Sequence, residues 1–131
     1  MSVKVNRKTM KKYNICSFLD YIHLSDVLSD IDGEIITRPD VVWTRISAKN
    51  KIAFNTDPEN TDAGTILKQV VSLPADVEES ASLLNSKRYY IIRLTIDDEI
   101  VTVGSTEYPA VKNYSDNKIR STITFTRLSP L

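Results

Sequence analysis

The chain has one histidine and one cysteine, two side-chain types that can act as base and nucleophile. His23 lies between Asp20 and Asp26, a setting in which an imidazole could accept a proton or join a metal site. Cys16 would be a nucleophile only with a base oriented beside it, and His23 is seven residues away. No second histidine supports either chemistry. We therefore predict that both residues are structural, with Cys16 a buried, inert thiol.

Metal and cofactor motifs are incomplete or missing. Asp30-Ile31-Asp32-Gly33 has the spacing of part of a calcium loop, but Pro39-Asp40 stands where further ligands belong, and no bidentate Glu stands at the twelfth position. A single cysteine excludes an internal disulfide framework and a cysteine-based zinc cluster. The chain also has no GxSxG motif, no glycine-rich phosphate loop and no paired-carboxylate constellation. We predict no catalytic, cofactor-binding or metal-binding residue, and hence a protein that is not an enzyme.

Trp43 is the only tryptophan, and Arg45 lies two residues beyond it. A tryptophan beside an arginine could form a cation–π pair or a stacking platform for a ligand. A lone tryptophan on a strand of a β-rich domain is more often a core anchor, so the prediction is that Trp43 is buried.

Length and charge describe an ordinary globular chain. Its 131 residues suit one domain, 1–131, in which 1–12 form a basic arm and 13–131 a β-rich body. Seventeen Lys and Arg balance seventeen Asp and Glu, so no direct, specific nucleic-acid partner is expected. No apolar run approaches the roughly 18 residues of a membrane helix, so no membrane partner is expected, and synthesis in a cytoplasm is predicted.

The first half of the chain mixes helical and strand patterns. Residues 13–22 fit a strand or a short helix equally well, and 24–31 has apolar residues at helical spacing, which predicts an amphipathic helix ended by Asp32-Gly33. Two β-branched segments, 41–46 and 51–54, predict strands joined by a hairpin turn at 47–50. Turn-forming residues dominate 55–64, which predicts a surface loop.

The second half is more clearly β. Strands are predicted over 65–73, 88–96, 100–104 and 118–127, with Pro74 ending the first and Asp97-Asp98-Glu99 forming the turn of a hairpin. A short helix is predicted over 76–84, with Asp76 as N-cap and with Leu83 and Leu84 facing inward. The resulting fold class is mainly β, an antiparallel β-sandwich or small barrel with one or two short helices.

Four stretches near the C-terminus share a characteristic order. Arg88–Leu94 is followed by the acidic turn at Asp97-Asp98, then by Val103-Gly104-Ser105 with Pro109 downstream, and last by Ile123–Pro130. This order resembles small tail or neck (head–tail junction) proteins of tailed bacteriophages, of the type found in phages and prophages of Bacteroidetes. The resemblance spans about residues 88–131, with additional support from Trp43 to Phe54. The chain departs from the pattern by carrying Asp97-Asp98-Glu99 where Asp-Gly is typical.

The resemblance implies a non-enzymatic structural subunit of a phage virion, made in the host bacterial cytoplasm. Its partners would be copies of itself in a symmetric ring of the tail or head–tail junction, and other virion structural proteins. The charge pattern adds a candidate contact, because the arm is basic without any acidic residue and a turn of the body is acidic. The predicted interface residues are Lys4, Arg7, Lys8, Lys11, Lys12, Asp97, Asp98, Leu128 and Leu131.

Two other classes of function remain open. A small ligand-binding β-barrel or sandwich, of bacterial or prophage origin, would use Trp43, Tyr89 and Tyr108 to line its mouth. An enzyme with His23 as base would lose its activity on replacement of that residue, although no reaction class can be named for it.

Overall fold

Nine β-strands and two short 3₁₀ helices make up the part of the chain described by this computed structural model, residues 13–32, 34–75, 78–116 and 121–130. The mainly β fold class is therefore confirmed. The strands are β1 (Tyr13–His23), β2 (Val27–Ile31), β3 (Glu34–Thr37), β4 (Thr44–Thr61), β5 (Gly64–Pro74), β6 (Tyr89–Ile96), β7 (Glu99–Val103), β8 (Ala110–Asp116) and β9 (Ser121–Pro130). The 3₁₀ helices are Leu24–Asp26 and Glu78–Leu83.

Six strands close into an antiparallel barrel. Their order is β1-β4-β5-β9-β8-β6, and the pairing of β6 with β1 closes the ring. β7 continues the sheet beyond β6, while β2 and β3 form a separate two-stranded hairpin. Of the two predicted architectures, the chain adopts the barrel. Closure pairs the backbone N–H and C=O groups that the edge strands of a sandwich would leave unpaired.

Alternation along the strands builds the core. On β6, Tyr90, Ile92 and Leu94 point into the barrel and are buried, as the pattern over 88–96 predicts. The ring of Tyr90 meets that of Phe125 of β9 edge-to-face, with centroids 5.2 Å apart. Cys16 is buried, as predicted, and burial raises the pKa of its thiol. The protonated thiol that results behaves as a small apolar side chain.

The amphipathic helix predicted over 24–31 is wrong. Only Leu24–Asp26 is helical, and β2 then pairs with β3 in a hairpin. The apolar residues at helical spacing do not share a buried face, since Leu28 and Ile31 are 62% and 60% exposed. Asp32 adopts a left-handed φ of 53°, which suits a tight hairpin turn. Gly33, the predicted helix stop, lies outside the described residues.

The hairpin turn at 47–50 and the loop over 55–64 are also wrong. Both segments belong largely to β4, an 18-residue strand that pairs first with β1 and then with β5. A bulge opposite Ser17 takes up the turn-like residues, and Asn50 there has a φ of 55°. Ser17 Oγ accepts the Asn50 N–H, at 3.3 Å. Much of this distal half of β4, residues 55–61, is exposed. An exposed strand and a surface loop can both be polar, so composition alone did not distinguish them.

The remaining predictions have mixed outcomes. β5, β6, β7 and β9 lie where strands were predicted, but β8 was missed. The second helix is the 3₁₀ helix Glu78–Leu83, with Leu83 buried and Leu84 exposed rather than inward. Asp76, the predicted N-cap, and residues 118–120 of the last predicted strand lie outside the described residues.

Candidate assembly surfaces

The predicted acidic turn is a tight connection between β6 and β7. Asp97 and Asp98 have left-handed φ values of 51° and 65°, the pattern of a type I′ turn, which matches the twist of the flanking strands. Asp97, Asp98 and the adjoining Glu99 are all exposed. Within the described part of the chain, none of the three forms an ion pair. The turn therefore presents three solvated carboxylates side by side.

β7 has an open edge next to this turn. Among the described strands it pairs only with β6, through Glu99 to Val103. In a two-residue hairpin, the residues flanking the turn form a hydrogen-bonded pair, here Ile96 and Glu99. Alternation then directs the backbone groups of Ile100 and Thr102 away from β6. These groups are ready to pair with another strand.

The distal parts of β4, β5 and β9 form a second surface. On its outward face, Leu128 stands opposite Lys68, and Ile66 opposite Pro130. Leu128, predicted at an interface, is 50% exposed. Lys68 forms a long ion pair, 3.6 Å, with Glu59. An exposed leucine among mixed charges suits a protein contact, although a single exposed apolar residue is common on any surface.

The outer face of the barrel carries a cluster of arginines and aromatic rings. Arg45 of β4 donates two hydrogen bonds to the Asp20 carboxylate, at 2.8 and 3.1 Å, and its guanidinium lies 4.0 Å from the Phe18 ring centroid. On the other side of Asp20, Arg93 of β6 lies 3.9 Å from the Trp43 ring centroid. Arginine and tryptophan are enriched among residues that dominate binding energy at interfaces. Sequence reasoning missed Arg93, because its partner lies fifty residues away and only the register brings the two together.

The prediction that Trp43 is a core anchor is wrong. It precedes β4, is half-buried, and packs on Arg93 rather than on the neighbouring Arg45. Tyr89, next to the inward Tyr90, points outward and is exposed. Trp43 and Tyr89 therefore lie on the outer surface and not in the barrel interior.

His23 is packed between aromatic rings at the end of β1. Its ring lies 4.9 Å from that of Tyr90 and 5.8 Å from that of Tyr21, and its Nδ1 has no hydrogen-bond partner among the described residues. Burial, with a smaller contribution from the positive charge of Lys87, lowers the pKa of His23. Cys16 lies seven residues back on the same strand, roughly 23 Å away at 3.3 Å per residue, so the two cannot act together.

The lowered pKa of His23 predicts a pH-dependent stability. The unfolded chain takes up the imidazole proton as the pH falls through about 6.5, before the folded chain does. The stability that His23 contributes is thus present above that pH and is lost on acidification toward the folded pKa. His23→Phe keeps the ring packing, so its free energy of unfolding should fall less than that of the wild type between pH 7 and pH 5 in urea titrations. An NMR titration of the single histidine giving a pKa at or above 6.5 would contradict this.

Two cations hold loops against the barrel. Lys112 Nζ donates to the carbonyl oxygens of Leu83 and Asn85, at 2.6 and 2.8 Å, and so fixes the end of the second 3₁₀ helix. Arg127 donates to the Tyr108 carbonyl at 2.8 Å and to Gln69 Oε1 at 3.1 Å. Burial lowers the pKa of both side chains. The acceptors of Lys112 and Arg127 all belong to the same chain, which gives these two residues a structural role.

The predicted residues Lys4, Arg7, Lys8, Lys11, Lys12 and Leu131 lie outside the described residues. In the described ranges, no cluster of three or more His, Cys, Asp or Glu could hold a metal ion. No helix there is long and apolar enough to cross a bilayer. No family model, curated protein or solved structure matches the chain.

Proposed function

We propose that this protein is a non-enzymatic structural subunit of a tailed-phage virion, which assembles with copies of itself into a ring in the tail or head–tail junction. One observation carries the proposal: the closed barrel bears an additional strand, β7, which has an open edge and lies next to an exposed acidic turn. A barrel gives a rigid body, and an open edge offers backbone groups to a neighbouring chain. The resemblance of residues 88–131 to tail and neck proteins supplies the biological setting.

The charge distribution supports association of copies. The net charge is zero, so like-charge repulsion does not oppose packing of copies against each other. The basic residues of 1–12 complement the acidic turn of the body. Two different surfaces of one chain that fit each other form a head-to-tail contact, which closes into a ring when the rotation between copies permits.

Deletion of residues 1–12 tests this proposal. The variant should keep the unfolding midpoint of the full chain but form fewer oligomers, and the difference should change with ionic strength, because exposed ion pairs are each worth about 0–1 kcal/mol and are screened by salt. Light scattering coupled to size exclusion, at low and high salt, measures both chains. A control variant, Lys49→Gln with Lys51→Gln, removes exposed cations of the body without touching the arm.

Three outcomes of this experiment have distinct meanings. A full-length chain that stays a monomer and never enters particles with partner virion proteins would overturn the proposed function. Unchanged assembly of the truncated chain would show that residues 1–12 are not part of the contact. A truncated chain that fails to fold would assign the segment to the domain's own sheet.

A further inference from the structure

We propose that residues 80–87 form a cap over one end of the barrel, and that this cap opens when the imidazole of His23 takes up a proton. The cap comprises most of the second 3₁₀ helix, Glu78–Leu83, and the residues that follow it toward β6. Leu83 is 1% exposed and packs in the barrel core, so the closed cap seals this end. Because all of these contacts lie within one chain, the switch is independent of the proposed function.

Three side chains of the barrel wall hold the cap in place. Tyr21 of β1 donates its hydroxyl to Ser82 Oγ, at 2.9 Å. Tyr90 of β6 donates its hydroxyl to Asn85 Oδ1, at 3.2 Å. Lys112 of β8 donates to the same tyrosine hydroxyl, at 3.3 Å, in addition to its two bonds with carbonyl oxygens of the cap. The cap is thus fixed by a few polar contacts and one buried leucine, the kind of segment that opens before a barrel wall does.

His23 packs against two of these three side chains. It is the last residue of β1 and stands opposite Tyr90 in the register of β1 with β6. Its ring contacts those of both Tyr21 and Tyr90. Its Nδ1 is buried and has no hydrogen-bond partner among the described residues. A change in the charge of this ring therefore acts on the tyrosines that bind the cap.

The closed cap opposes a positive charge on His23. Burial, followed by the positive charges of Lys87 in the cap and Lys112 of β8, lowers the pKa of the imidazole. Asp26 of the first 3₁₀ helix acts in the opposite direction, but its carboxylate already forms an ion pair with Arg38, at 3.0 Å. The imidazolium would therefore be held next to two cations, with no acceptor for its buried proton among the described residues.

Opening of the cap removes these penalties together. Lys87 moves away with the cap, Lys112 loses the carbonyl acceptors that hold it, and water reaches the imidazole. The open form therefore takes up the proton near the ordinary pKa of about 6.5, and the closed form does so only at lower pH. Acidification below about pH 6.5 thus raises the population of the open form, and a return to pH 7 closes the cap again.

Hydrogen exchange followed by mass spectrometry at pH 7 and pH 5 tests the switch, after correction for the intrinsic pH dependence of amide exchange. The N–H of Lys87 bonds to Asn85 Oδ1, at 2.8 Å, so exchange in the cap reports on the closed form. In the wild type, peptides from 80–87 should lose protection by at least about threefold at pH 5, while β5 and β9 keep theirs. His23→Phe keeps an aromatic ring that cannot be protonated, so its cap should be equally protected at both pH values.

Lys87→Gln tests the electrostatic part without altering His23. Lys87 is exposed, and its ammonium forms no ion pair among the described residues, so the closed cap should survive its removal at pH 7. Arg88→Gln is the matched control, because Arg88 is the next residue, is also exposed, and does not contribute to the lowered pKa. An NMR titration of the single histidine should give a higher pKa in Lys87→Gln and an unchanged one in Arg88→Gln.

Four results would overturn the proposal. Equal protection of the cap at pH 7 and pH 5 in the wild type would show that the closed form tolerates the imidazolium. A loss at pH 5 that persists in His23→Phe would assign the effect to another group. An equal loss in β5 and β9 would mean that acid unfolds the whole barrel. An unchanged His23 pKa in Lys87→Gln would remove the electrostatic link between the imidazole and the cap.

Discussion

Gly104→Ala should lower the free energy of unfolding by about 3 kcal/mol, because two costs of about 1–3 kcal/mol each combine at this position. Gly104 has a φ of +116°, a conformation that L side chains rarely adopt. A Cβ here would also stand 3.0 Å from the Tyr90 carbonyl oxygen and 3.2 Å from both Ala110 N and Ile91 Cδ1. The first two contacts are backbone atoms of β6 and β8, which cannot rotate away. Urea unfolding followed by circular dichroism at constant pH measures the loss.

Gly64→Ala is the matched control for this result. Gly64, at the start of β5, has a nearly identical φ of +119°, but a Cβ there would meet nothing within 4 Å. Its substitution should therefore cost only the backbone strain, about 1–2 kcal/mol. Equal losses at the two glycines would show that the close approach at Gly104 has no energetic weight. A loss at Gly104 clearly larger than at Gly64 would isolate the steric contribution.

The position of Gly104 explains how β6 can pair with both β7 and β8 on the same side. β7 pairs with the C-terminal part of β6 and ends at Val103, and β8 begins at Ala110 opposite Tyr90. The chain must leave the sheet between them and return, and Ser105 closes this loop by donating its N–H to the Tyr108 carbonyl. The strand predicted over 100–104 ends at this glycine. It could not predict the return as β8, because residues 110–116 have no regular alternation of apolar and polar side chains.

Local patterns predicted the elements whose neighbours in sequence are also neighbours in space. The β6–β7 hairpin follows from apolar residues at every even position of 90–96, a two-residue acidic turn and a second β-branched run, so it could be identified with its turn residues. The helix over 24–31 failed because spacing alone cannot tell a helix from a small hairpin whose apolar residues stay exposed. An Asp-Gly pair following the segment was a hairpin signal that competed with the helix stop.

Long-range pairing decided what the sequence could not predict. β4 runs through turn-like residues at 47–50 because a bulge opposite Ser17 of β1 accommodates them. Ser17 lies about thirty residues earlier in the sequence, so no local pattern could reveal this contact. The same limit applies to the candidate surfaces. The acidic turn is local and was predicted, whereas the stacking of Arg93 on Trp43 depends on the order of β4, β1 and β6 in the barrel.

Phe125→Ala should lower the free energy of unfolding by about 3–5 kcal/mol, the usual cost of removing a buried aromatic ring from a core. Phe125 is fully buried on β9, where its neighbours across the sheet are Val71 and Lys112. Truncation would remove the edge-to-face contact with Tyr90 and leave a cavity between strands that are held in place by barrel closure. A closed sheet cannot collapse onto such a cavity without shifting its register, so we expect the upper part of that range.

Leu128→Ala on the same strand provides the comparison. Its side chain lies on the outward face at the distal end of β9, and truncation should cost less than about 0.5 kcal/mol, as for an ordinary surface substitution. If Leu128 lies at an interface, Leu128→Ala should instead weaken self-association at an unchanged unfolding midpoint of the dilute monomer. Urea unfolding and light scattering of the two variants therefore separate a residue that holds the barrel together from one that contacts a neighbour. A Phe125→Ala loss as small as that of Leu128→Ala would contradict the assignment of Phe125 to the core.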